Sequence, residues 1–155
     1  MTETPAALDD QDFMNALMDL VIPPSASGDL PGAGTLGLSP GVAAALQADA
    51  LLGPMVETGA QAVREAALTE HPEGLPGMAP QAGTKVLEAQ LSAHSFLIMG
   101  LARYLYPAYY QHPQVLEGIG EPPRPPFPEG FDLEPTDAEL LEKLQARRIE
   151  GPTKE

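Results

Sequence analysis

Eighteen prolines punctuate this 155-residue chain, and six of them fall within residues 121–135. Proline fixes φ and lacks a backbone donor, so that tract can form neither a helix nor a central strand. An extended polyproline-II path is its default, reaching on the order of 45 Å at about 3.1 Å per residue. Phe127 and Phe131 give this arm anchors that a bare linker would not need. Elsewhere the prolines mark the ends of apolar-periodic stretches, and those stretches have helical spacing. No strand pattern and no internal repeat is visible.

The first expected helix covers residues 9–22, capped by Asp9 or Asp10 and stopped by Pro23-Pro24. Phe13, Leu17, Leu20 and Val21 share one face, with Met14 and Met18 beside them. Residues 25–38, rich in glycine, form a loop without the lysine of a phosphate-binding loop. Ser39 as a cap and Pro40 at the first helical position start a second helix that runs to Leu52, where Gly53-Pro54 breaks it. A third follows over 54–69, with Val56, Ala60, Val63 and Ala67 on its stripe. Residues 71–83, with three prolines and three glycines, read as another loop.

The longest expected helix spans 84–105. Leu87, Leu91, His94, Ile98, Leu101 and Leu105 alternate steps of four and three. From Phe96 onward it is apolar nearly all round, which places it in the middle of a bundle. Pro107 ends or kinks it. A short helix over 112–117 precedes the arm. A capping box at Thr136-Asp137-Ala138-Glu139 opens a last helix to Arg148, and the tail from Glu150 is expected to be disordered. The expectation is an all-α fold: a small irregular helical bundle with long loops (1–120), an extended proline-rich C-terminal arm (121–135), a final helix (136–149) and a tail (150–155).

Composition removes several functions. The net charge of −14 repels phosphate backbones, and no basic patch offsets it. With no cysteine there is no disulfide, thiolate metal site or cysteine nucleophile. The three histidines show no metal-ligand spacing. Ser92, His94 and Ser95 are too close along one helix to face each other as a relay. His94 is read first as a hydrogen-bonded core histidine. No basic residue precedes Arg64, so no export signal is recognised and a cytoplasmic location is expected. No wholly apolar run, Phe96 to Met99 included, is long enough to span a bilayer.

What stands out is polar-tipped aromatic surface. Tyr104, Tyr106, Tyr109 and Tyr110 are all the tyrosines of the chain, packed into seven positions, and His112 and Pro113 follow. Tyrosine suits interfaces because its ring is apolar and its hydroxyl stays satisfied. The alternative, a core edge under the proline arm, weighs equally. Arg103 lies within an otherwise apolar run. Either it snorkels to the surface or pairs with an N-terminal aspartate, or it faces a partner. The candidate partner-binding residues are Arg103, Tyr106, Tyr109, Tyr110, His112, Pro113, Pro125, Pro126, Phe127 and Phe131.

Two segments carry a resemblance. Leu17-Met18-Asp19-Leu20-Val21-Ile22-Pro23, followed by a small-residue loop ending Pro31-Gly32-Ala33-Gly34, is similar to the opening helix and Ala/Gly loop of the gluconate 2-dehydrogenase subunit 3 family. Tyr109-Tyr110-Gln111-His112-Pro113-Gln114-Val115-Leu116, with Gly118 and Gly120 after it, resembles that family's Tyr-Tyr-x-x-Pro-x-Val element. The resemblance covers residues 10–130. It implies an accessory subunit without a cofactor of its own. Its partner would be a large FAD-dependent flavoprotein of the glucose–methanol–choline (GMC) type that oxidises a sugar or alcohol, sometimes with a cytochrome c subunit. The twin-arginine leader common in the family is not seen here. Two other readings stay open: a stand-alone helical protein holding a small apolar ligand in a methionine-lined cavity, and a metal-independent enzyme using His94.

Overall fold

The computed structural model of the chain describes residues 6–124 and 137–149. Most of the proline-rich arm, with Pro125, Pro126, Phe127 and Phe131, lies outside the described residues, as does the tail from Glu150. The fold is all-α: among the described residues there are seven α-helices and no strand. One unit ends at Arg124, and a second begins at Pro125.

The first helix, α1 (Gln11–Val21), starts where Asp10 accepts a hydrogen bond from the Phe13 amide at 3.1 Å. It buries Phe13, Met14, Leu17 and Met18, whereas Leu20 and Val21 are half-buried. The loop after it is more ordered than its glycines suggest. A 3-10 turn over Ala33–Leu36 packs along α1, and the Asp19 carboxylate accepts the Gly34 amide at 2.7 Å.

The second helix, α2 (Ser39–Ala48), and the third, α3 (Leu52–Glu70), part earlier than the Gly53-Pro54 break expected from sequence. Ser39 is itself the first helical residue and does not cap. At the junction Asp49 Oδ1 accepts the amides of Leu51 and Leu52, both at 2.9 Å, which satisfies the first turn of α3. Pro54 is harmless within that turn, where its missing amide would have had no helical partner. Val56, Ala60, Val63 and Ala67 form the expected stripe and are fully buried.

The long helix expected over 84–105 is instead two: α4 (Pro80–Leu91) and α5 (Phe96–Tyr110), with a corner at residues 92–95. A three-four repeat is the same on either side of a corner, so periodicity alone does not show where a helix turns. At the corner the hydrogen bonds tighten, with Ala93 N donating to Gln90 O and Leu97 N to His94 O. Serine and histidine, which compete with the helical backbone, occupy the turn. Pro107 neither ends nor breaks α5. Its absent amide would have bonded the carbonyl of Arg103, and both residues are exposed, so water can replace that bond.

α3 packs chiefly against α5, and also touches α4 and α2. Gly100 makes the α3–α5 approach possible, since a Cβ there would fall on the Val56 side chain. Leu97, Leu101, Leu105 and Tyr109 line the buried side of α5. The short α6 (Pro113–Gly118) buries Val115. A carboxylate secures the N-terminal 3-10 turn Ala7–Asp9, where Glu57 accepts the amides of Ala7 (2.6 Å) and Leu8 (3.1 Å).

In the second unit the described element is α7 (Ala138–Ile149). Its start is bonded by Asp137, whose Oδ1 accepts the Glu139 amide at 2.9 Å. Thr136, the expected cap, lies outside the described residues. Leu140, Leu141 and Leu144 are exposed.

Candidate interaction face

Sequence reasoning put α5 in the middle of the bundle. The structure buries one side and leaves the other open. Phe96, Met99, Arg103, Tyr106 and Tyr110 are exposed and spaced by alternating steps of three and four. At 100° per residue they form one stripe along the outer side of the helix. Met99 is 55% and Tyr110 51% exposed, which is high for side chains this apolar. Tyr106 and Tyr110 stack at 6.3 Å, and Tyr110 meets Tyr109 edge-on at 5.2 Å, so the aromatic end of the stripe is held in place.

Acids are absent from residues 89–116, although 22 occur in the chain. Aromatic, methionine and arginine side chains, with other charges depleted, make up the composition that distinguishes the centre of a protein interface. At the Phe96 end a cleft of about 430 Å³ lies between α3 and α5, lined by Pro54, Met55, Thr58, His94 and Phe96 among others. His94 is half-buried there, not in the core. Thr58 donates its hydroxyl to Pro54 O, and no acid lines the cleft to orient the imidazole.

Of the expected contact residues, Arg103, Tyr106 and Tyr110 share the stripe. Tyr109 does not: it is buried in the core, and its hydroxyl donates to Pro31 O at 2.8 Å. Burial pushes its phenol above the ordinary 10.0. His112 stands at the cap position of α6 but makes no side-chain capping bond. Its Nδ1 is buried without a hydrogen-bond partner among the described residues. Pro113 is exposed at the start of α6. Phe96, Met99 and Met55 were missed; their spacing was visible, but their letters suit a core equally well.

Arg103 does not pair with an N-terminal aspartate. That role belongs to Arg64 on α3, which is buried, lies 3.6 Å from Asp10 and donates to Gln61 Oε1 at 2.6 Å. The Arg103 guanidinium sits 5.9 Å from the Tyr104 ring centre. Tyr104 donates its hydroxyl to Asp49 Oδ2 at 2.6 Å, and this bond holds Asp49 below the usual carboxylate range, helped by the Leu52 and Leu51 amides. The same bond raises Tyr104 above its ordinary value.

Among the described residues no group of three or more histidines or acids is placed to hold a metal, and no helix is long and apolar enough to cross a membrane. Met14 and Met18 are packed in the core. Comparison with protein-family models, curated proteins and solved structures gave no match.

Proposed function

We propose that this chain is a non-catalytic accessory subunit that binds and stabilises a large FAD-dependent, GMC-type sugar or alcohol dehydrogenase, with the outer face of α5 as its docking surface. The observation that carries the docking role is the acid-free stripe from Phe96 to Tyr110, half-exposed on an otherwise acidic chain. The choice of partner rests on the two segments that resemble the subunit 3 family. They are 78 residues apart at their point of contact, the hydrogen bond from Tyr109 to Pro31, so they form one structural feature of the fold. In this reading FAD and the redox chemistry belong to the large subunit, a cytochrome c subunit can complete the complex, and this chain supplies shape and adhesion.

The test is co-expression with a GMC-type flavoprotein from the same host. Wild-type chain should co-purify with a flavin absorbance spectrum. Replacing Met99 and Tyr110 by alanine should cost about 1–2 kcal/mol each in binding, a combined loss of at least about thirtyfold, with helical content intact. Undiminished co-purification of the double variant places the interface elsewhere. Failure of the wild type to bind any flavin protein removes the proposed partner.

A further inference from the structure

We propose that the element covering the α5 face is an amphipathic helix of another protein, carrying large apolar side chains three and four residues apart and one carboxylate opposite Arg103. This rests on the interaction role argued above and adds the chemistry of the occupant. The stripe runs along a helix of 15 residues, about 22 Å at 1.5 Å per residue. A face of that form is complementary to a second helix laid along it, whose ridges enter its grooves.

Arg103 decides what that helix must bring. It is the third of the five stripe residues, so an occupant that covers Met99 and Tyr106 also covers its guanidinium. Covering a charge with apolar surface is costly unless a carboxylate meets it, and the planar fork favours a bidentate carboxylate. Among the described residues no carboxylate forms an ion pair with it. α5 itself contains no acid. The neighbouring Asp49 feels the Arg103 charge but forms no ion pair with it; its Oδ1 accepts two backbone amides and its Oδ2 the Tyr104 hydroxyl. A carboxylate on the covering helix would complete the pair.

The same residue argues against two other occupants. In a two-fold pairing of α5 with a second copy, parallel or antiparallel, the middle of the stripe sets Arg103 against Arg103 with no acid between them. An anionic bilayer would accept Arg103 but repel the chain's net charge of −14. The cleft beside Phe96 and Met55, about 430 Å³, is large enough for one bulky side chain from the end of the incoming helix.

The experiment uses the full chain and two synthetic helical peptides of the length of α5. Both carry leucine at the stripe spacing, one with glutamate and one with lysine at the middle position. By fluorescence anisotropy the glutamate peptide should bind wild type at least about tenfold more tightly, and Arg103→Glu should reverse the order. Equal affinities, or no saturable binding of either peptide, overturn the proposal. Light scattering that shows a dimer of the chain alone, dissociated by Met99→Asp, gives the face to a second copy and also overturns it. So does sedimentation with phosphatidylserine vesicles that Met99→Asp abolishes. If the peptide preference holds but the flavoprotein does not co-purify, only the choice of partner fails. If the flavoprotein co-purifies equally well with Arg103→Glu, only this inference fails.

Discussion

Asp49 shows how one side chain can join three helices. It follows the last turn of α2, bonds the first turn of α3 and accepts the Tyr104 hydroxyl of α5. Its lowered pKa means that its contribution to stability is present above 3.8, the unfolded value, and is lost as pH falls through the lower folded value. Tyr104, raised above 10.0, contributes below that value and loses its contribution as pH rises through the folded one. Both limbs describe one hydrogen bond. Tyr104→Phe should therefore melt below wild type by a constant margin between the two unfolded values, and the margin should shrink in acid and in alkali. Melting curves across pH check this, and a margin independent of pH would exclude the bond as its source. Arg64 is a second lesson at this scale. A lone arginine among alanines gave no sign in the sequence that Asp10, 54 positions earlier, would lie beside it, because such pairs are set by how α1 crosses α3.

Elements were legible where a stripe has one buried side and a clear end. α1 and α3 have both, and Val56, Ala60, Val63 and Ala67 all fall in the core as their spacing predicts. α4 and α5 were not separable, since the seam through Leu87, Leu101 and Leu105 keeps its repeat across the corner. The loop of residues 25–38 hid a different kind of order, one made by close approach. Gly34 lies so near α1 that a Cβ would strike the Asn15 carbonyl, a backbone atom inside a helix that cannot give way. Gly34→Ala should cost about 1–3 kcal/mol in urea unfolding through overpacking, and should weaken the Asp19 bond to the loop. Glu57, near the start of α3, does comparable work for the N-terminal turn. Glu57→Ala leaves the buried amides of the Ala7–Asp9 turn without an acceptor, at about 1–3 kcal/mol, and hydrogen exchange should accelerate at Ala7 and Leu8 ahead of the core.

At the scale of the molecule, the two sides of α5 serve different states. Leu101 is buried completely and Met99 is 55% exposed, though both are large apolar residues two positions apart. The letters do not distinguish them; only the neighbours do, which is why Arg103, Tyr106 and Tyr110 could be read as contacts from sequence while Phe96 and Met99 could not. If the outer face is held for a partner, the isolated chain gains little from its apolar character. Leu101→Ala should then destabilise the lone protein by about 2–5 kcal/mol, as cavity formation in a core does. Met99→Ser should change it by no more than about 0.5 kcal/mol, as exposed positions do. Chemical denaturation of the two variants makes the comparison directly. A loss at Met99 approaching that at Leu101 would mean that the outer face already packs within the free chain, and that no partner is needed to explain its composition.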